Sequence, residues 1–390
     1  MTTPAASIVT SLAAAVSAFL DETHHGVASR VADYVAREIA PAPEAADDAA
    51  ARHEARAWLA RLGAAGLFES VGTGDLRTLC LVREAVAGAS PLADAVVALQ
   101  ALGGTAFVLA GTDEQRARWL TLIADGRAMA AFAMSEPQAG SDVAAMETQA
   151  VRDGGEWVLT GEKHLISNAG LADVYVVFAV TTPGAGSRGI TAFVVPAGTP
   201  GLTFEPQIMA APHPLGKIYL DDCRVPAEAV LGEVDRGFKL GMMTLDRIRP
   251  SVGAAACGMA ARALHEAVVH TRSRRQFGQP LSDFQLVREK LGRMATELDA
   301  ARLLVYRAAW MRDRGAERLT VPAAMAKSFA TEAAQRIVDD AVQLVGGRGV
   351  LAGHPVERLY RAVRALRIYE GATDIQHLII AADLVGGARA

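Results

Sequence analysis

Val174-Tyr175-Val176-Val177-Phe178-Ala179-Val180, then Pro183-Gly184, then Ile190-Thr191-Ala192-Phe193-Val194-Val195: these runs decide the fold. Two stretches of β-branched and aromatic residues, divided by turn formers and by no helical segment, read as consecutive strands. The texture extends over residues 129–235, where Trp157-Val158-Leu159-Thr160, Leu202-Thr203-Phe204 and Lys217 to Leu220 are further short runs between Gly154-Gly155, Pro200-Gly201 and Pro212. Short strands with Gly and Pro turns predict a small antiparallel barrel or sandwich. Gly184-Ala185-Gly186-Ser187-Arg188-Gly189 matches the dinucleotide fingerprint letter for letter, but a strand follows it where that motif needs a helix N-terminus. It reads as a turn between strands.

On both sides of this region the period changes to that of helices. Asp47 and Asp48 precede Ala49 to Leu62, rich in Ala, Arg, Glu and Leu, with Gly63 and Gly66 after it. Thr112 and Gln115 are spaced as a capping box. From Asp283 onward Val287, Leu291, Met294, Leu298, Ala301 and Val305 form one apolar face, Pro322 suits a first helical turn, and Met325, Phe329, Ala333, Ile337 and Ala341 follow at intervals of four. A last helix is expected from Pro355. The layout is mostly α with a central β-barrel: an N-terminal helical domain over 1–128, a middle β domain over 129–235, and a C-terminal four-helix bundle over 236–390.

The chain's 390 residues allow two or three domains, and 51% hydrophobic with 21% charged residues place it among globular proteins. Lys+Arg 39 against Asp+Glu 43 leaves a formal charge of −4, which gives no chain-wide attraction to nucleic acid or anionic lipid. Cys80, Cys223 and Cys257 are far apart and odd in number, so a reducing, cytoplasmic location is expected. Met1 to Leu20 lacks a basic start, which argues against a secretory signal. In Ala85 to Gly111, Pro91, Asp94 and Gly103-Gly104 interrupt the apolar run, so no membrane span is expected.

Few segments offer chemistry. His265 and His270 are five apart and cannot share a helix face as a zinc pair would, and no metal site is expected. The loop Met134-Ser135-Glu136-Pro137-Gln138-Ala139-Gly140-Ser141-Asp142 could hold a flat polar ring or could be a plain entry into the β region; spacing alone leaves both open. Gln343-Leu344-Val345-Gly346-Gly347-Arg348-Gly349 ends a helix, and its glycines would let a phosphate or another backbone approach. In Arg367-Ile368-Tyr369-Glu370-Gly371, a Glu370 at the negative end of a helix would have a raised pKa and could act as a base. Arg272, Arg274 and Arg275 beside Phe277 could grip phosphates, and Arg358, Arg361, Arg364 and Arg367 step by three along one stripe.

Taken together, these segments resemble the acyl-CoA dehydrogenase family over nearly the whole length, from about Asp47. The resemblance is carried by Met134-Ser135-Glu136-Pro137-x-Ala139-Gly140-Ser141-Asp142, Gly161-Glu162-Lys163-His164-Leu165-Ile166-Ser167-Asn168-Ala169-Gly170, Arg224-Val225-Pro226, Leu231-Gly232, Arg274-x-Gln276-Phe277-Gly278, Gln343-x-x-Gly346-Gly347-x-Gly349 and Ile368-Tyr369-Glu370-Gly371, in order and spacing. It implies FAD bound between the middle and C-terminal domains, with part of the site lent by a neighbouring subunit of a homotetramer, a dimer of dimers, or of a heterotetramer. By position, Phe132, Met134, Ser135 and Ser167 would line the flavin. Arg274, Phe277, Gln343 and Gly347 would take the diphosphate and adenosine end, and Thr373 stands one place after the family's usual FAD-contacting Thr. Ser141, Asp246, Arg249 and Gly371 would face the acyl-CoA.

The same resemblance makes Glu370 the base that takes the α-proton of an acyl-CoA thioester while the β-hydrogen leaves as hydride. The product would be a 2,3-enoyl-CoA, with electrons passed to an electron-transfer flavoprotein. Asp246-Arg247-Ile248-Arg249, where some relatives carry the base, holds no glutamate. Ala372, Leu165, Ala362, the stretch Met209 to Lys217, and the first forty residues with His24-His25 depart from the family pattern. Two alternatives share the fold: nitroalkane oxidase-like or monooxygenase-like flavin chemistry, and a subunit that only completes the FAD site of a partner.

Overall fold

The computed structural model describes residues 14–386; Met1 to Ala13 of the segment read against a signal lie outside them. The chain divides into two discontinuous compact units. A helical unit takes the chain up to Glu44, Leu76–Asp94 and everything from Arg249; a sheet unit takes Ala45–Asp75 and Ala95–Ile248. The longer helices are α1 (Glu22–Tyr34), α2 (Asp48–Ala64), α3 (Leu76–Ala89), α4 (Pro91–Ala110), α5 (Gly237–Ser273), α6 (Gln285–Asp313), α7 (Thr320–Val345), α8 (Pro355–Leu366) and α9 (Thr373–Leu384). The expectation that the last helix starts near Pro355 is corrected: α8 stops at Leu366, and α9 follows a turn that contains Glu370.

The sheet unit carries β1 (Ala130–Ala133), β2 (Gln149–Asp153), β3 (Glu156–Ser167), β4 (Val174–Val180), β5 (Ile190–Pro196), β6 (Leu202–Pro206) and β7 (Leu215–Pro226). They make one seven-stranded curled sheet, a half-barrel, in the order β1-β4-β2-β3-β7-β6 with β5 on β4. It is mixed, not purely antiparallel as the turn chemistry predicts. β1 runs parallel to β4, from Ala130 opposite Val174 to Ala133 opposite Val177. A parallel pair needs a crossover, and the β2–β3 hairpin supplies it. Trp157, Leu159, Val177, Phe193, Ile218 and Val225 sit in its core. The Gly184 to Gly189 segment is the turn between antiparallel β4 and β5.

Helical details of this unit follow from the sequence. Asp47 caps α2, accepting from Ala50 N at 2.8 Å. The Thr112/Gln115 box closes with bonds of 3.2 and 3.1 Å. The interruptions read in Ala85 to Gly111 do not break α4: Pro91 begins it, and a side chain at Gly103 or Gly104 would collide with Ala130 or Val71. By length and composition α4 could cross a membrane, yet 72% of its most apolar window is buried within the protein.

In the helical unit, Met294, Leu298, Ala301 and Val305 of α6 are buried, as are Ala333, Ile337 and Ala341 of α7. Gly253 lets α5 approach the Val305 side chain of α6 and the Ala326 carbonyl of α7, where a Cβ would collide with Val305. The core includes charges held in pairs: Glu84 accepts from Arg302 Nε at 2.7 Å and from the Tyr306 hydroxyl at 3.3 Å. The arginine stripe on α8 is partly consumed locally, Arg361 by Glu357 and Arg367 by Glu332. All three cysteines are free and buried.

Candidate active site

In the helical unit, α8 ends at Leu366 and the chain turns through Glu370 into α9. Glu370 has φ +54°, a left-handed conformation uncommon for a residue with a Cβ, and Gly371 follows at φ +96°. Buried cations from two helices fix this turn. Arg249 Nε of α5 donates to the Glu370 carbonyl at 3.0 Å, and Lys327 Nζ of α7 donates to the Gly371 carbonyl at 2.7 Å. Gln376 Nε2 adds a third bond, to the Gly371 carbonyl at 3.2 Å, and a Cβ on residue 371 would run into it.

Against these satisfied backbone groups stands an unsatisfied side chain. Glu370 Oε2 is shielded from solvent and meets no hydrogen-bond donor. Burial pushes the Glu370 carboxyl above the ordinary range and Asp94 adds to the rise, outweighing the nearby cations Arg83, Lys327 and Arg249. The cause expected from the sequence, the negative end of a helix, is therefore replaced by desolvation. Lys327 is pulled the other way, down to about 8, because burial disfavours its charged form more than Glu370 favours it. Arg83 is itself buried, held bidentate by Asp94 at 2.9 and 2.8 Å and bonded to Ser251 Oγ at 3.0 Å.

In the sheet unit, Phe132 lies on β1, Met134 and Ser135 follow it, and Ser167 ends β3. Phe132 packs its ring 4.8 Å from that of Phe178, Met134 is buried, and the hydroxyl residues Ser135 and Ser167 are half-buried. Ser135 O accepts from His164 N at 2.9 Å, which ties the loop after β1 to β3. Below it is a buried ion pair: Lys163 Nζ donates to Glu136 Oε1 at 2.7 Å and to the Met134 carbonyl at 3.3 Å. Glu136 also accepts from Glu147 N, Thr148 N and Gln138 Nε2. Burial would raise its pKa, but Lys163 and these donors hold it below the ordinary value, while burial takes Lys163 down to about 8. Leu165 is in a left-handed conformation at φ 57° and 56% exposed. Ser141 lies on the exposed part of the loop.

Arg274, Phe277, Gln343 and Gly347 are exposed and lie outside the Glu370 network. A small hairpin, β8 (Arg275–Gln276) and β9 (Gln279–Pro280), presents Phe277 at 93% exposure. His270 is lowered by burial and by the positive charges of Arg348, in the Gly346–Val350 turn, and of Arg274, just before the hairpin. Other candidates are engaged locally. Arg249 is buried against the Glu370 backbone, and Thr373 donates to Glu332 Oε1 at 2.9 Å. Lys163, Lys327, Arg83 and Gln376 received no role from the sequence. For Lys327 a signal was present: it lies on the buried alanine face of α7 with Ala323, Ala330 and Ala334.

The residues fit a flavin dinucleotide in their chemistry. The sheet unit offers two hydroxyls on a braced loop pair, and the helical unit offers a cationic, glycine-bordered surface suited to phosphate and an orphaned buried carboxylate oxygen suited to a proton.

Comparison with known proteins agrees along the length. Residues 21–127, 131–223 and 235–385 match the N-terminal, middle and C-terminal domains of acyl-CoA dehydrogenases. The chain is 39% identical over 378 residues to "Probable acyl-CoA dehydrogenase fadE25" of Mycobacterium leprae, covering 94% of this chain and 96% of that one. Butyryl-CoA dehydrogenase of Megasphaera elsdenii superposes with a TM-score of 0.88 at 32% identity, over 94% of this chain and 99% of that one. Glutaryl-CoA dehydrogenase of Mycobacterium smegmatis in complex with FADH2 superposes with a TM-score of 0.86 at 27% identity, over 96% and 97%.

Proposed function

This chain belongs to the acyl-CoA dehydrogenase family, whose members are FAD-dependent oxidoreductases, and on that premise we propose that it removes two hydrogens from an acyl-CoA thioester to give a 2,3-enoyl-CoA. The observation that carries the reading is the Glu370 carboxylate, its Oε2 shielded and unpartnered and its pKa raised, on a turn whose own carbonyls are pinned. Bound FAD would supply the acceptor for the β-hydrogen and its electron pair.

Everything else falls to the chain. Glu370 takes the α-proton; a carboxylate raised toward the acidity it must acquire is a better acceptor than a solvated one. Desolvation does this without disordering the turn, since Arg249, Lys327 and Gln376 hold the main chain and leave the carboxylate oxygen free. With its carbonyl held by Arg249, the Glu370 backbone N–H is assigned to polarise the thioester carbonyl as negative charge develops. Phe132, Met134, Ser135 and Ser167 are assigned to the flavin, Ser141, Asp246 and Gly371 to the acyl-CoA. Arg249, which holds the base turn through Nε, is likewise assigned to the acyl-CoA, and Thr373 to the FAD. Arg274, Phe277, Gln343 and Gly347 are assigned to the phosphate end of FAD in a neighbouring subunit of a tetramer; their exposure and the positive charges of Arg274 and Arg348 support that role. An electron-transfer flavoprotein is the assigned electron acceptor, and the cytoplasm the assigned compartment.

Anaerobic titration of the purified yellow protein with saturated acyl-CoAs of graded length and branching tests the reading. Bleaching of the flavin with stoichiometric 2,3-enoyl-CoA is expected. A flavin that stays oxidised with every thioester, or forms an oxygenated product once air is admitted, overturns it.

A further inference from the structure

Met209 to Lys217, where the chain departs from its family pattern, places His213 beside Ser167. Ser167 ends β3 opposite Leu215 of β7, and Asn168 N donates to the Pro214 carbonyl at 2.8 Å, so register brings the two side chains together. Ser167 Oγ and His213 Nε2 are 2.8 Å apart. One cation of α2 braces both arms: Arg52 donates to the Ala169 carbonyl at 2.8 Å and to the Leu215 carbonyl, each two residues past a member of the pair. Asp48 holds Arg52 Nε at 2.7 Å.

We infer that His213 is a positioning residue for Ser167: its neutral imidazole accepts the Ser167 hydroxyl proton at Nε2 and fixes Oγ as an acceptor. Among the described residues the Ser167 hydroxyl has this one partner, so His213 Nε2 is the one acceptor that the described chain offers to its proton. The imidazole proton then resides on Nδ1. Burial keeps His213 neutral, down to about 4; Asp48 works against this and Arg52 with it, and these are the charged groups that act on the ring. The inference rests on the reading that Ser167 meets the flavin, where a serine locked as an acceptor favours a partner that carries a proton over one that does not.

Histidine 15N NMR of the whole protein, with flavin reduction in variants, tests this. The His213 ring is expected to be neutral with its proton on Nδ1 down to about pH 4, and Ser167→Ala should release that tautomer to a mixture. His213→Leu should change the flavin potential and slow its reduction by acyl-CoA about fivefold, the effect of one hydrogen bond, with KM unchanged. His213→Gln, which keeps an acceptor, should restore most of the rate. A His213 that titrates like a free histidine or carries its proton on Nε2 overturns the inference, as does a flavin-loaded His213→Leu with unaltered potential and rate. A protein that binds no FAD contradicts the functional reading instead, and the ring NMR still decides the pair.

Discussion

Glu136 and Glu370 are both shielded glutamates beside a buried lysine, and their surroundings are opposite. Glu136, in the sheet unit, collects Lys163, two backbone N–H groups and Gln138, and its pKa falls. Glu370, in the helical unit, has Lys327 close by, but Lys327 and Arg249 each donate to a backbone carbonyl of the turn, Oε2 has no donor, and the pKa rises. A carboxylate whose lone pairs are all engaged is an anchor for the loop it holds. One kept dry and unpartnered can take a proton.

Exchanging each acid for its amide tests that contrast most severely. Glu370→Gln should cut the flavin reduction rate by about 10³-fold or more with the fold intact, read by stopped-flow absorbance. Its stability should also rise at neutral pH: with the folded pKa above the unfolded one, wild-type Glu370 contributes stability below about pH 4.5 that is lost as pH rises through its folded value. Glu136→Gln should do the reverse. Its lowered pKa contributes stability above about pH 4.5 that disappears as pH falls through the folded value, so the variant loses stability at neutral pH.

Lys163→Met leaves Glu136 buried without its cation and should cost about 3–5 kcal/mol in denaturant unfolding. A midpoint within error of wild type would show the pair is not what braces the loop. A smaller effect is expected from Lys327→Met. It removes a charge that lowers the Glu370 pKa, so the acid limb of the flavin reduction profile should move up by about one pH unit or less. An unmoved limb, or one displaced to lower pH, contradicts the assignment of Glu370 to that limb.

Much of this organisation was legible in the sequence. The run Val174 to Val180 is β4 end to end, the Thr112/Gln115 box closes as spaced, and the apolar face of α6 is buried from Met294 to Val305. These features depend on neighbours within a few residues. The parallel β1–β4 pairing depends on register across some forty positions, and the alanine-rich Ala130–Ala133 carries little strand signal. The site divides the same way. Glu370 and the loop from Met134 to Asp142 lie in contiguous motifs, whereas Lys327, Arg83 and His213 take their places through distant segments of one unit. The sequence points to a helix end as the cause of the Glu370 shift because a helix end is visible in sequence and desolvation is not.

The most direct measurement follows the proton itself. In deuterium oxide, an acyl-CoA blocked at its β-carbon should exchange its α-hydrogens for deuterium on the wild-type enzyme, and Glu370→Gln should slow that exchange by about 10³-fold or more while still binding FAD. Exchange at an equal rate in the two proteins would place the base elsewhere and contradict the account.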